Sequence, residues 1–505
     1  MTSPPALNLP PLPEALASRN PVRWLSVFGP GAIIASLTIG VGELVFSTRG
    51  GALFGYRLLG YFAVVLLMKW VLVFASARHM VLTGAHPFQR WMALPGPRGW
   101  LPWVFLLLAV PCFPIWVCFH AGTLGTLVAG LTGTSEVWNG AAPLAWGFVL
   151  LLSVLGLCSL GGYGALERIQ LLIVLAMLGS VLVALFFIHP DWLQLLHGLF
   201  VPQPVHYPDW LSKSHPAIAA RPVWIEVSTY VGIIGGSSYD YLAYVSYLRD
   251  KGWGRAGAGI VSIDELKASD AVTRQAAARW LRVPLIDCTL SFAAVLLFTA
   301  VFVICGAKVL GPQHQVPDGS NLLSLQAQFV TAVHPWLKHV YFAGAFLAVF
   351  GTLYGTIEVA PTILREIVAA VKPEAVERLR PDLRRWAIAW SGWGGVLLLI
   401  ACLVRQLAGG TGQPPALIAL LTPANLFTGV LGCGVICLSN VWMERFLPAG
   451  QRMPFVLGFL SVGASLIFTV LGVKAYWDHS GYVAFGIFAG TLLAGIAGAA
   501  WFGKR

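Results

Sequence analysis

Two carboxylates, Glu43 and Asp240, each stand beside a glycine-rich interruption in a long apolar stretch. The first interruption is Gly40-Val41-Gly42, and the second covers residues 235–241, with the sequence Gly-Gly-Ser-Ser-Tyr-Asp-Tyr. Glycine permits a helix to unwind, and an unwound backbone at membrane depth survives only where it lines a cavity or is buried in protein. A carboxylate there persists only with a cation, a proton or a basic partner nearby. The two segments therefore indicate a substrate site.

The candidate ligands of this site are oxygen atoms of the two interruptions. The substrate-binding candidates are Gly40, Glu43, Gly235, Ser237, Ser238, Tyr239, Asp240 and Tyr241, with Glu43 and Asp240 as the metal ligands. Such a set suits a hard cation that keeps some of its water, such as Mg²⁺ or Ca²⁺. It also suits an organic substrate whose amino group is held by a carboxylate and aromatic faces, and a helix N-terminus after either break suits a substrate carboxylate.

Three further ionisable residues, His120, Asp287 and Glu358, lie inside apolar stretches and are candidates for a proton or ion path. Each has a structural alternative: a packed histidine for the first, and interhelical hydrogen bonds for the two acids. For Glu43 the structural alternatives are an ion pair with Arg49 and a cap on the following half-helix.

The elements that must position these residues are membrane helices. A chain of 505 residues with 57% hydrophobic and 10% charged residues lacks the polar surface of a soluble protein of that size, so we expect an all-α integral membrane protein in contact with lipid. The net charge of +11 resides in short loops between apolar runs, which argues against a nucleic-acid partner. We expect a monomer or a homodimer.

About twelve stretches have the length that a spanning helix needs. They lie near 27–48, 58–82, 101–130, 144–161, 166–188, 222–248, 283–309, 338–363, 386–404, 416–441, 453–475 and 482–502.

The two interruptions fall in the first and sixth of these spans, as a five-plus-five inverted repeat with broken helices one and six requires. The predicted organisation is a disordered tail (1–25), a first repeat (26–188), an extracytoplasmic loop (189–221), a second repeat (222–446) and two final spans (447–505). Lys and Arg concentrate in the loop between spans six and seven and in the loop after span eight. Because cytoplasmic loops hold the excess of these residues, we expect both termini to face the cytoplasm of a cell-membrane protein.

The sequence does not favour a disulfide-stabilised protein, a zinc protein or an enzyme. The eight cysteines lie inside apolar runs, which favours neither a disulfide framework nor a zinc site, although Cys433 and Cys437 share one helix face. The chain has no HExxH pattern, no GxSxG elbow and no phosphate-binding loop, so we expect no enzyme activity and no cofactor.

The chain resembles the natural resistance-associated macrophage protein (Nramp) family of metal transporters over roughly its first ten spans. The matching motifs are Gly29-Pro30-Gly31, Gly42, Gly51-Ala52-Leu53-Phe54-Gly55-Tyr56, Ser76-Ala77-Arg78, Thr83-Gly84, Leu166-Glu167, Ile233-Ile234-Gly235 and Arg384-Arg385. The resemblance implies a LeuT-like inverted repeat and, in typical members, transport of transition metals with protons.

The departures from the family pattern lie in the site itself. Typical members read Asp-Pro-Gly-Asn in the first break, where this chain has Gly40-Val41-Gly42-Glu43. The methionine of the family's second break falls on Ser238 or Tyr239, so the thioether that favours soft metals is absent. Residues 113–130 of the third span contain no Asp or Glu, whereas typical members carry acids there.

Three functions remain open. A secondary transporter of a divalent cation, with Mg²⁺ or Ca²⁺ preferred over Mn²⁺ or Fe²⁺, fits the oxygen ligands. A transporter of a small organic solute, such as an amino acid or amine, fits the same architecture. A membrane protein that no longer transports and serves as a sensor is the third, although neither terminus supplies a folded domain to pass on a signal.

Overall fold

The computed structural model describes residues 9–17, 21–160, 172, 186, 188–318, 323, 325–331, 335–408 and 417–502. Helices occupy the predicted spans within this part of the chain, and the fifth predicted span, 166–188, lies almost entirely outside it. Eight of the described helices are long and apolar enough to cross a membrane. The all-α membrane fold predicted from composition is confirmed.

The helix bounds follow the predicted spans closely. In chain order they are Pro30–Ile39 with Thr48–Phe54 (first span), Leu59–Thr83 (second), Trp100–Thr132 (third), Ala142–Leu160 (fourth), Val223–Ile233 with Ser238–Asp250 (sixth), Arg282–Cys305 (seventh), Leu337–Val371 (eighth), Pro373–Ile388 with Gly394–Leu407 (ninth), Leu417–Asn425 with Gly432–Met443 (tenth), Phe455–Ser480 (eleventh) and Tyr482–Phe502 (twelfth).

The first and sixth spans are both broken, but in different ways. The first α-helix ends at Ile39, and after Gly40 the chain continues as a π-helix, Gly42–Ser47, before α-helix resumes at Thr48. The sixth span opens fully between Ile233 and Ser238, where Gly235 and Gly236 have φ values of 83° and 96°. Residues with a side chain rarely adopt such positive φ values, so glycine is required at both positions of the second break.

Buried polar contacts fix the broken helices to their neighbours. The third span packs against the fourth, eighth and ninth spans, and the second packs against the seventh and tenth. Arg78 of the second span donates to Glu444, after the tenth, over 2.8 Å. The amides of Gly29 and Gly31, at the start of the first span, donate to the two carboxylate oxygens of Asp287 over 2.8 and 2.7 Å. That carboxylate satisfies helix-terminal donors and lies at the favourable end of the helix dipole.

The basic loop between the sixth and seventh spans is helical. A helix covers Ile263–Ala268, and Ser262 and Glu265 form a reciprocal capping box at its start. A second helix, Ala271–Trp280, follows. The predicted tail, 1–25, has local structure where it is described, because short helices cover Glu14–Ala17 and Pro21–Trp24, and the Trp280 indole N–H donates to the Pro10 carbonyl over 3.1 Å.

Candidate functional site

A cavity of about 60 Å³ lies between the two broken helices. A methyl group on Gly42 of the first break would lie 3.4 Å from the Ile233 side chain, so the two breaks are in direct contact beside it. The cavity is lined by Leu37, Thr38, Val41 and Gly42 of the first span, Trp116, Phe119 and His120 of the third, Gly232, Ile233, Gly236, Ser237 and Asp240 of the sixth, Thr356 of the eighth, and Leu421 and Asn425 of the tenth.

Asp240 is the carboxylate that lines this cavity. Its Oδ2 accepts hydrogen bonds from the Ser237 backbone N–H over 2.7 Å and from the Ser237 hydroxyl over 2.8 Å. This arrangement caps the second half of the sixth span, where the helix dipole favours negative charge. The side chain stays partly accessible, which leaves the carboxylate available to a cation in the cavity.

A lysine of the second span occupies the opened backbone of the sixth. Lys69 is completely buried, and its ammonium donates to the carbonyl oxygens of Gly232, Ile234 and Gly236 over 3.2, 2.7 and 2.7 Å. An ammonium has three N–H donors, and all three are used. Lys69 therefore satisfies the carbonyl groups that lost their helical partners at the break.

Glu43 lies beside the cavity, among groups of the sixth and seventh spans. It is completely buried, and neither carboxylate oxygen makes a well-formed hydrogen bond with a described residue. The groups that act electrostatically on its carboxylate include the backbone of Gly235, the charge of Lys69 and the Thr299 hydroxyl. Glu43 is not one of the residues that line the cavity.

The other predicted residues of the second break contact protein groups outside the cavity lining. The Tyr241 hydroxyl donates to the Gly235 carbonyl over 2.6 Å, and the Tyr239 hydroxyl donates to the Phe105 carbonyl over 2.6 Å. Ser238 is buried, next to Gly432 of the tenth span. The structure thus brings Ser237 and Asp240 to the cavity and directs Ser238, Tyr239 and Tyr241 away from it.

Gly40 permits a close approach rather than lining the cavity. A methyl group at this position would lie 1.6 Å from the Thr352 hydroxyl oxygen of the eighth span. The first break therefore sits directly on the eighth span, and only a residue without a side chain fits there.

The three residues predicted for an ion path lie in different places in the structure. His120 lines the cavity, and its buried Nδ1 makes no hydrogen bond with the described residues. Asp287 accepts from the start of the first span and from the Tyr244 hydroxyl over 2.9 Å. Glu358 pairs with Arg384 over 2.5 Å. The two acids therefore make interhelical contacts, which is the structural alternative to an ion path, and neither lines the cavity.

Sequence reasoning missed several residues of the site. Lys69 is a charged residue inside the second span, and the rule that marks intramembrane ionisable residues as functional would have found it. Thr38, Trp116, Thr356 and Asn425 line the cavity but are ordinary residues of membrane helices, so no sequence pattern separates them from packing residues.

Most of the donors around the cavity are hard oxygen atoms. Besides the Asp240 carboxylate, Thr38, Ser237 and Thr356 carry hydroxyls and Asn425 an amide, while His120 offers an imidazole nitrogen. None of the described lining residues contains sulfur. Within the described part of the chain, no group of three His, Cys, Asp or Glu side chains could together hold a metal ion. A cation here would meet one carboxylate and neutral oxygens.

Comparison with known proteins identifies relatives among metal transporters. A family model described as natural resistance-associated macrophage protein-like matches residues 31–369. Metal transporter Nramp1 of Populus trichocarpa is 27% identical over 199 residues, which are 38% of this chain and 35% of that protein. Divalent metal cation transporter MntH of Latilactobacillus sakei subsp. sakei (strain 23K) is 28% identical over 185 residues, which are 36% of this chain and 38% of that protein. The alignments thus span little more than a third of these relatives.

Solved structures with the same architecture cover nearly the whole chain. The manganese transporter of Eremococcus coleocola, in complex with an aromatic bis-isothiourea substituted compound, has a TM-score of 0.66 at 15% identity, covering 95% of this chain and 94% of that one. MhsT in complex with L-phenylalanine has a TM-score of 0.50 at 15% identity, covering 89% and 98%. These similarities show the LeuT-like fold. Because the family model covers about two thirds of the sequence, the chain belongs to the Nramp family.

Proposed function

We propose that this chain is a secondary transporter that moves a hard divalent cation, Mg²⁺ or Ca²⁺, across the cell membrane by alternating access. The observation that carries the proposal is the position of Asp240, held by Ser237 at the cavity between the two broken helices. Hydroxyl and amide oxygens complete a donor set that hard cations prefer. The names of the relatives, which are metal and manganese transporters, support the substrate class.

The donor set also supports a preference for hard cations over manganese and iron. Softer transition metals gain affinity from thioether, thiolate and imidazole ligands. Among these ligand types, the described lining residues supply one imidazole, that of His120. Cys433 and Cys437 are buried in the tenth span and do not line the cavity.

The attachment of the broken helices supports alternating access. The first half of the first span is joined to the seventh span through Asp287. The second half is joined to the first half of the sixth span through Arg49 and Glu226. Because the breaks lie between these attachment points, the two halves of each helix can move with different neighbours, as rocking around a fixed site requires.

A small organic amine is the alternative substrate, because Trp116 and Phe119 present aromatic rings to the same cavity as Asp240. Cavity size favours the ion. Pockets for drug-sized molecules measure about 300–1,000 Å³, whereas a water needs about 10–15 Å³. A cavity of about 60 Å³ therefore has room for an ion with a few waters.

Flux into proteoliposomes tests the proposal. We expect the wild-type protein to take up Mg²⁺ or Ca²⁺ more efficiently than Mn²⁺, and Asp240→Asn to abolish uptake because an amide has no charge to offer. Asp478→Asn is the matched control, since Asp478 is partly exposed and pairs with Lys474 in the eleventh span. Uptake of amines without uptake of any divalent cation would establish the alternative. Tight manganese binding that survives removal of Glu43 and Asp240 would show that the site lies elsewhere.

A further inference from the structure

Lys69 places a positive charge beside the cavity that is proposed to bind cations. Its three hydrogen bonds end on carbonyl groups of one break, and two of the residues it contacts, Gly232 and Gly236, also line the cavity. The ammonium interacts electrostatically with Glu43 and Asp240 but forms an ion pair with neither among the described residues. It binds the sixth-span backbone in the way that a bound metal ion would.

The placement of Lys69 removes ligands from any transported ion. Carbonyl groups of an unwound helix are the oxygens with which a transporter replaces the water shell of a dehydrated cation. Here the ammonium already occupies three of them, and a second cation on the same oxygens would face its charge at short range. An ion in the cavity is left with Asp240 and neutral side chains.

We propose that Lys69 is a resident cation of the sixth-span break and determines the specificity of the site by forcing the transported ion to keep part of its water. This inference rests on the proposed function, because it concerns the same site and narrows the ion it takes. Mg²⁺ retains several waters and is held by one or two carboxylates, whereas Ca²⁺ takes six to eight oxygen ligands. The wild-type site therefore selects Mg²⁺ over Ca²⁺.

Charge balance around Lys69 supports a permanent role. Glu43 is the buried carboxylate whose charge opposes it from the first span, and Asp240 does so from the sixth. With Lys69 and Glu43 balancing each other, Asp240 supplies the net negative charge that the cavity presents. A single carboxylate matches a hydrated ion better than a fully dehydrated one.

The first experiment replaces Lys69 by leucine and measures Mg²⁺ and Ca²⁺ affinity by thermal shift of the purified protein. Freed carbonyl groups should favour the ion that needs more ligands, so we expect the ratio of Ca²⁺ to Mg²⁺ affinity to rise by about tenfold or more. Lys69→Arg keeps the charge and should shift this ratio less. Lys474→Leu is the matched control, because Lys474 is exposed in the eleventh span, and its ratio should equal the wild type.

A second experiment keeps the inference testable if the leucine variant is unstable. Lys69→Ala leaves a space the shape of propylamine, so propylammonium should raise its melting temperature more than neutral 1-propanol does, while the wild type and Lys474→Ala should show no such difference. Equal effects of the two compounds, or an unchanged ion ratio in a folded Lys69→Leu protein, would overturn the inference. A wild-type protein that binds no divalent cation would instead contradict the proposed function, and the specificity role of Lys69 would fall with it, whereas the propylammonium result would still report on the resident cation.

Discussion

The guanidinium of Arg49, in the second half of the first span, lies 2.5 Å from the carboxylate of Glu226, in the first half of the sixth, and both side chains are buried. Glu226 also accepts from the Tyr230 hydroxyl over 2.7 Å, and Arg49 donates to the Pro317 carbonyl over 2.7 Å. This network joins the two broken helices to each other on one side of the cavity. It also shows that Arg49 is not the partner of Glu43.

Breaking this pair should destabilise the protein strongly. Among the described residues, Glu226→Gln leaves the buried Arg49 with the more distant carboxylate of Asp318, 3.6 Å away, as its remaining acidic partner. We expect the free energy of unfolding to fall by about 3 kcal/mol, the low end of the range for a buried pair that loses one partner. Chemical unfolding in detergent measures the loss.

Two variants control this measurement. Arg49→Met combined with Glu226→Leu removes both charges and should recover most of the stability, because apolar replacement of a buried pair is often neutral. Asp478→Asn breaks the partly exposed pair with Lys474 and should change the free energy of unfolding by about 1 kcal/mol or less. A Glu226→Gln protein as stable as Asp478→Asn would show that the Arg49 pair contributes little.

The close approach at Gly40 gives a steric prediction. Gly40→Ala places a methyl group 1.6 Å from the Thr352 hydroxyl oxygen and 2.7 Å from its Cβ, so the first and eighth spans must separate. We expect a loss of about 1–3 kcal/mol in the free energy of unfolding, as in overpacked cores.

A compensating change identifies the cause of that loss. Thr352→Gly removes both clashing atoms, so the double variant should be more stable than Gly40→Ala even though glycine inside a helix costs about 0.5–1 kcal/mol. Gly486→Ala is the matched control, because a methyl group there meets no atom within 4 Å. If Gly40→Ala melts like Gly486→Ala, the first break is not packed on Thr352 as described.

The architecture was predictable because it depends on coarse properties of the sequence. Apolar stretches of membrane length and two glycine-rich breaks determine the helices, and the breaks occur where they were predicted. The Ser262–Glu265 capping box was predictable for a similar reason, since it needs only residues three apart. Local rules of this kind do not depend on which helices become neighbours.

The direction of individual side chains was not predictable in the same way. Tyr239 and Tyr241 lie in the second break by sequence, yet their hydroxyls bind backbone carbonyls of the third and sixth spans. The role of Lys69 depends on contacts 163 to 167 residues away along the chain. Such pairings follow from helix packing, which the sequence pattern does not specify.

The predicted topology has both termini in the cytoplasm, and the contact of Trp280 with Pro10 supports placing the amino-terminal tail beside the loop between spans six and seven. Ser320, in the predicted extracytoplasmic segment between spans seven and eight, would suit a cysteine-labelling test but lies outside the described residues. Ser212 and Gln275 are described, exposed residues that can replace it. Ser212 lies in the predicted extracytoplasmic loop, and Gln275 lies in the predicted cytoplasmic loop between spans six and seven. In intact cells an impermeant thiol reagent should label Ser212→Cys and leave Gln275→Cys unlabelled.

Background labelling in this test should be low, because all eight native cysteines are buried. Permeabilised cells supply the control, since both variants should then react. Labelling of Gln275→Cys but not Ser212→Cys in intact cells would reverse the predicted orientation of the whole chain.

The last prediction concerns Glu43, whose carboxylate is buried without a well-formed hydrogen bond to any described residue. A buried charge in that situation is unfavourable unless another charge balances it. Arg49 is bound to Glu226, which leaves Lys69 as the neighbouring cation. We infer that Glu43 offsets the ammonium so that Asp240 can attract a substrate cation into the cavity.

Glu43→Gln nearly preserves size while removing the charge. Without Glu43, the Lys69 ammonium should repel a divalent cation near Asp240, and we expect affinity to fall by about tenfold or more, which corresponds to about 1.4 kcal/mol. The melting temperature should change little, because the Lys69 ammonium keeps its three hydrogen bonds to backbone carbonyl groups. Glu358→Gln is the control with the reverse expected outcome, because it breaks the ion pair with Arg384 away from the cavity. This variant should have a lower melting temperature and an unchanged cation affinity. Calorimetry and melting curves on both proteins decide the matter, and unchanged affinity in Glu43→Gln with a lowered melting temperature would assign Glu43 to the structure instead of the site.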